Sequence, residues 1–150
     1  MPSATTATNG CTQWLHVAAF VQPTSGEALW YLCSGLSKPF FAALLASFAR
    51  ETSAGCERSI VLVLDNAGWH GPKDLPIPDG ISLVFLPPYS PELQPAEHLW
   101  PLVDEPIVNR HFATLAQLDA TVAERCRSLD AATIRPHTAF HWWPRPKKPN

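Results

Sequence analysis

Two acidic residues stand where carboxylates can do chemistry. Asp65 directly follows residues 59–64, SIVLVL, a continuous β-branched and aliphatic run. Glu97 comes 32 positions later, near a helix start and after a second apolar run, ISLVFL at 81–86. In open α/β sheets, ligands bind beyond the carboxyl ends of the strands, so an acid at 65 faces a crevice rather than the core. Two carboxylates converging there suit hard divalent cations such as Mg2+, which prefer oxygen ligands. Two such ions about 4 Å apart can activate a water and stabilise the leaving oxygen in phosphodiester cleavage. Each acid also has an ordinary explanation: an Asp after a strand forms turns, and a Glu at a helix start favours the helix dipole.

Several neighbours bear on that chemistry. Asn66 is placed to orient Asp65, and His70 is within reach of a phosphate or of the loop backbone. Tyr89 and Trp69 offer flat rings, for stacking on DNA bases or for packing. His98 adjoins Glu97 but points elsewhere on a helix. The cysteines, Cys11, Cys33, Cys56 and Cys126, are scattered without metal-ligand spacing and read as small buried hydrophobes. A hydrolase using Cys33 or Cys56 as nucleophile finds no nucleophile-elbow motif in support.

These residues need elements to position them. Residues 14–22 and 28–33 read as the strands of a hairpin, joined by PTSGE with Gly26 placed for a positive φ. Ser37 caps a helix over about 38–51, with Pro39 tolerated in its first turn and Phe41, Leu44, Leu45 and Phe48 as its apolar stripe. The runs at 59–64 and 81–86 do not alternate, as in strands buried on both faces. Pro87 to Pro91 form a rigid turn that aims the Glu97 helix, which Pro101 keeps kinked or short. Thr114 and Gln117 make a capping box for a helix to about 129, with Leu115, Leu118, Val122, Cys126 and Leu129 on one face. The order strand, strand, helix, strand, strand, helix, helix predicts an α/β domain with a mixed sheet.

The chain has 150 residues, enough for one domain, and its 46% hydrophobic content is that of a globular protein. No apolar run approaches the roughly 18 residues of a membrane span, and residues 1–10 do not read as a signal peptide. The expected address is the cytoplasm, in association with the nucleoid. A net charge of −2 and a pI near 6.3 lack the basic footprint of a free-standing nucleic-acid binder, so DNA contact must come from local features.

Val63-Leu64-Asp65-Asn66-Ala67-Gly68-Trp69-His70, followed by Leu86-Pro87-Pro88-Tyr89-Ser90-Pro91-Glu92-Leu93-Gln94-Pro95-Ala96-Glu97-His98-Leu99-Trp100, resembles the catalytic domain of bacterial insertion-sequence transposases related to the mariner superfamily. The resemblance runs from about Trp14 to Trp143 and includes the HWWP ending. It implies a ribonuclease-H-like (retroviral-integrase-like) α/β fold, a DDE acid triad and a two-metal Mg2+ site, with Mn2+ as a substitute ion. It also implies transposon ends and target DNA as partners, self-association with transposase, and no membrane. By resemblance Asp65 matches the second acid and Glu97 the third, both as metal ligands. Asn66, His70 and Tyr89 are supporting or DNA-contacting candidates by their own chemistry, and by resemblance Gln94 stands where the wider superfamily often has Asn.

One departure matters. The family's first acid lies on the first strand, ahead of the hairpin, and residues 1–64 here contain no aspartate. Glu27, Glu51 and Glu57 are not placed to substitute. The expectation is an N-terminally truncated domain: a disordered N-terminus over 1–13, a partial catalytic domain over 14–135 lacking the first strand, and an irregular Pro/Trp/basic tail over 136–150. In the tail, Trp142 and Trp143 sit near Arg145, Lys147 and Lys148. Alone, such a chain is expected to be catalytically inactive and marginally stable, since apolar strands lose a partner. The alternative is a non-catalytic remnant that binds or modulates full-length transposase.

Overall fold

Ser37, Pro39 and the apolar stripe behind them produce the helix they predict. In this computed structural model, which describes residues 3–8, 11–65 and 74–143, α1 spans Lys38–Glu51 and Ser37 Oγ accepts from the Phe40 N–H at 3.3 Å. Phe41, Leu44, Leu45, Phe48 and Ala49 are its buried residues. Five strands complete the α/β framework: β1 (Ser3–Thr8), β2 (Cys11–Val21), β3 (Ala28–Cys33), β4 (Ile60–Leu64) and β5 (Ile81–Phe85). The single mixed sheet expected from the element order is instead two small ones among the described residues. One has the order β1-β2-β3, and the other pairs β4 with β5.

The structure corrects the reading of the N-terminus. Residues 1–13 were expected to be disordered, with weak pairing open only to the Thr-rich stretch 4–8; Ser3–Thr8 pairs antiparallel with β2 from Ser3↔His16 to Thr8↔Cys11. β2 therefore begins three residues earlier than its apolar pattern, at Cys11. The Thr-rich composition of β1 suits a strand.

Two compact units divide the chain: one holds residues up to Leu32 and from Pro95 onward, the other is Cys33–Gln94. The first unit's core is Leu15 and Val17 of β2 with Leu99, Val103, Leu118, Val122, Cys126, Leu129 and Ile134. Apart from Leu129, the C-cap of α3, these last come from a 3-10 helix (Pro95–Leu99), α2 (Trp100–Asp104), α3 (Leu115–Ser128) and α4 (Ala131–Thr138). At the β2–β3 turn, Gly26 takes φ +82°, and a Cβ there would lie 2.3 Å from the Ala131 carbonyl oxygen, so only glycine fits beneath α4. Buried Thr138 fastens the same corner, its hydroxyl donating to the Pro23 carbonyl at 3.2 Å. Arg125 of α3 donates to the Leu102 carbonyl at 2.7 Å and pairs with Glu105, tying α3 to α2.

α4 was not foreseen. The chain was expected to turn irregular at Pro136, but that proline sits inside the helix, near its end. There it removes little more than one helical hydrogen bond. Asp130 starts α4, accepting from the Thr133 N–H at 2.8 Å, and hydrogen bonding from the Thr133 side chain and then its N–H holds the Asp130 carboxyl below the usual range. The capping box at α3 is displaced by one residue. Thr114 Oγ1 accepts from the Gln117 N–H as expected, but Gln117 Oε1 accepts from Ala113 rather than from Thr114.

In the second unit β4 and β5 run parallel, in register from Ile60↔Ile81 to Leu64↔Phe85. Gly80, at φ +77°, lets the chain cross Gly55 so closely that a Cβ would meet Gly55 N at 2.0 Å. The expectation of burial on both sheet faces fails here. Val61 is 64% exposed and Val84 48%, and period-2 alternation puts both on the same face. A continuous apolar run cannot distinguish a covered face from an uncovered one, because both are written in the same residues. Cys33 and Cys126 are buried as expected, whereas Cys56 is exposed. No helix among the described residues is long and apolar enough to cross a membrane.

Candidate functional site

The parallel pair β4–β5 is what places Asp65. Both strands end on the same side, and the Leu86 N–H donates to the Leu64 carbonyl at 2.8 Å, closing the pair one residue before the acid. Asp65 follows directly, half-buried, at the carboxyl edge where such sheets hold ligands. Beyond Phe85 the chain runs through Pro87, Pro88 and Tyr89 into a short 3-10 helix, Pro91–Leu93. Tyr89 is fully exposed, at φ +58°.

Glu97 lies in the first turn of the 3-10 helix Pro95–Leu99, half-buried. The expected kinked or short helix is this 3-10 segment running into the five-residue α2, with Pro101 in its first turn. The Trp100 indole N–H donates to Glu97 Oε2 at 2.8 Å. Sequence reasoning placed Trp100 on the helix without giving it this role. The signal was the three-residue spacing, which stacks two side chains on one face of a helical turn. His98, next in the chain, stacks edge-on against Phe140 at 4.8 Å, and the ring series continues to Trp142 and Trp143. It points away from any role beside Glu97, as expected.

Asp65 belongs to the Cys33–Gln94 unit and Glu97 to the other. Asn66, His70 and Trp69 lie outside the described residues, as do Arg145, Lys147 and Lys148 of the tail. Among the described residues no group of three or more His, Cys, Asp or Glu side chains is arranged to hold a metal ion. The donor types nevertheless fit a hard divalent cation. Two carboxylates are an oxygen-only set, and Mg2+ is commonly held by one or two carboxylates, with waters and substrate phosphates completing its shell. Gln94 Oε1, buried without a hydrogen-bond partner, is a further unused oxygen acceptor three residues before Glu97. Burial raises the Asp104 carboxyl above its usual range at the end of α2. A surface concavity lined by Pro106, Ala120, Thr121, Glu124, Arg125 and Ser128 involves neither candidate acid.

Comparison with known proteins bears on this geometry. Residues 4–119 match a family model described as DDE superfamily endonuclease, a span that contains both Asp65 and Glu97. The chain is also 36% identical, over 100 residues, to the uncharacterized protein y4pE/y4sA of Sinorhizobium fredii (strain NBRC 101917 / NGR234), covering 66% of this chain and 73% of that one. No solved structure matches the chain.

Proposed function

The chain belongs to the DDE superfamily of endonucleases, and from that premise we propose that it is a transposase catalytic domain of the mariner-related kind whose acids Asp65 and Glu97 bind divalent metal for phosphodiester chemistry on DNA. The observation that carries the proposal is Asp65 at the carboxyl edge of a parallel strand pair, within the matched span. The finer ribonuclease-H-like reading rests on the element order: antiparallel strands before α1, then a parallel pair and the acid-bearing helical segment.

In this reading Asp65 and Glu97 hold Mg2+ or Mn2+. When bound, such an ion neutralises charge on the scissile phosphate and favours attack by water or by a 3′ hydroxyl. Trp100 fixes one Glu97 oxygen through its indole N–H, so the carboxylate meets a cation in a set orientation. Pro95 and Pro101 shorten the helical segment and fix where Glu97 leaves the backbone. DNA, as transposon ends and target, is the substrate, and the domain works among nucleoid-associated partners.

Residues 1–64 contain no aspartate, and β1, SATTAT, carries no acid. The chain alone therefore cuts no DNA in this proposal. Gel-shift measurements with Ca2+, an ion that supports binding without cleavage, provide the test. Ca2+ is expected to tighten DNA binding, and Asp65→Ala or Glu97→Ala to abolish that gain. DNA binding indifferent to Ca2+ and to both substitutions contradicts the proposal. Nicking of supercoiled plasmid by the wild-type chain, lost in Asp65→Ala, would overturn the inactivity.

The same absence favours a second reading, a non-catalytic protein that associates with full-length transposase and modulates it. The exposed Val61–Val84 face of the β4–β5 pair supports association. Failure of the chain to co-purify with, or to inhibit, an active transposase of this family would remove that reading.

A further inference from the structure

Four non-glycine residues among those described have a left-handed backbone: Ser53, Asp74, Tyr89 and Asn109. Serine, aspartate and asparagine are short and polar, and the last two visit this region readily by bonding to their own backbone. A tyrosine has no such compensation. Tyr89 at φ +58° is the one aromatic residue of the four, and it is also fully exposed. Its side chain therefore offsets none of the backbone strain by packing. Strain of this kind persists only where the surrounding chain imposes it, and it collects at ligand-binding and switch positions.

The chain on both sides of Tyr89 is held in place. Pro87 and Pro88 precede Tyr89 and Pro91 follows two residues later, each fixing its own φ and restricting the residue before it. The Ser90 hydroxyl donates to the Pro88 carbonyl at 3.4 Å, bracing the chain across Tyr89. The Leu93 and Gln94 N–H groups donate to the Ser90 and Pro91 carbonyls, locking the turn from the other side. The ring is thus displayed on a stiff turn, which lowers the ordering cost of binding. The turn leaves β5 at the carboxyl end of the β4–β5 pair, the same end from which Asp65 emerges.

We propose that Tyr89 is a base-stacking residue, presenting its ring to an unpaired nucleobase of the DNA strand engaged at this end of the sheet. The proposal rests on the reading of the chain as a DNA-acting endonuclease. Residues 74–94 contain no Lys or Arg, and Glu92 lies close by in sequence, so the turn's own residues offer a phosphate no cation. A nucleobase, by contrast, presents a face the size of one ring, and stacking needs no charge. Every base has such a face, so Tyr89 confers contact without sequence preference. A base paired inside a duplex is not available for it. The ligand is therefore a single strand, or the frayed strand at a break.

The test uses the full chain with fluorescein-labelled oligonucleotides read by anisotropy: single-stranded, duplex, and a single strand of abasic deoxyribose phosphate. The wild type is expected to bind the base-bearing single strand more tightly than the abasic one. Tyr89→Ala loses about 5- to 140-fold of that affinity, the ratio corresponding to about 1–3 kcal/mol of base–aromatic stacking, and no longer distinguishes the two strands. Tyr89→Phe retains wild-type binding. The dependence of affinity on salt keeps its slope in Tyr89→Ala, because no phosphate contact is lost. Tyr89→Gly melts no lower than the wild type, since glycine relieves the backbone. Unchanged affinity in Tyr89→Ala overturns the proposal while leaving the endonuclease reading to the metal tests. Equal losses in Tyr89→Phe and Tyr89→Ala, or a lowered melt in Tyr89→Gly, also overturn it. A change in oligomeric state in Tyr89→Ala without any loss of oligonucleotide binding would assign the ring to a protein interface instead. Wild-type chain that binds no oligonucleotide overturns both the proposal and the reading it rests on.

Discussion

Glu97 takes its orientation from Trp100, whose indole N–H reaches it at 2.8 Å from one helical turn away. A donor that fixes a metal-binding carboxylate typically contributes about 10- to 100-fold in metal affinity. Trp100→Phe keeps the ring's bulk and removes the donor. It is expected to weaken Mn2+ binding by at least about tenfold with little change in the melting temperature. A Mn2+ titration beside a thermal melt reads both, and an unchanged titration would leave the bond a purely structural one. Cys126 carries a second residue-scale prediction. Burial pushes its thiol from 9.0 to about 11, against weaker opposing effects of Arg125 and Arg127. Between those values the unfolded chain releases a proton that the folded chain keeps, so stability is intact below about pH 9 and falls as the pH rises toward about 11. Urea melts across that window should show the decline, and Cys126→Ala should flatten it. Equal slopes in both proteins would place the titrating group elsewhere.

At the scale of elements, the corner where the β2–β3 turn passes under α4 depends on Gly26. Gly26→Ala adds both a strained φ and a Cβ only 2.3 Å from the Ala131 carbonyl oxygen. It is expected to destabilise the fold by more than about 1 kcal/mol. Thr114→Ala removes the cap of α3 and is expected to cost about 1 kcal/mol. Denaturant melts check both, and a Gly26→Ala protein as stable as the wild type would contradict the packing described. Elements with local chemical signals were legible in the sequence. Ser37 with Pro39 marked α1, the aliphatic runs marked β4 and β5, and Gly26 marked its turn. β1 was expected as no more than a weak pairing of the Thr-rich stretch 4–8 inside an N-terminus read as disordered. A short strand rich in Thr and Ala carries no apolar alternation to mark it. α4 was missed because the Asp130 cap went unread and Pro136 suggested an irregular tail, whereas a proline near a helix end disrupts it little. Whether a sheet face is covered depends on distant chain, which is why the exposure of Val61 and Val84 was not readable from their own run.

At the scale of the molecule, the acids are distributed between two units: Asp65 follows a strand in one, and Glu97 lies in the first turn of a helical segment in the other. Both candidate acids stand out in the sequence because their flanking residues form a long ordered pattern, Asp65 to His70 and Leu86 to Trp100. Tyr89's backbone strain was not, since positive φ in a tyrosine has no sequence signature beyond the prolines around it. The proposal treats Asp65 and Glu97 as partners in holding a cation, with the first acid of the family's triad absent from residues 1–64. Isothermal titration of the purified chain with Mn2+ tests that partnership most directly. The account predicts a saturable Mn2+ site that weakens at least about tenfold in Asp65→Ala and in Glu97→Ala alike, with no further loss in the double variant. Mn2+ binding that survives both substitutions unchanged would contradict it.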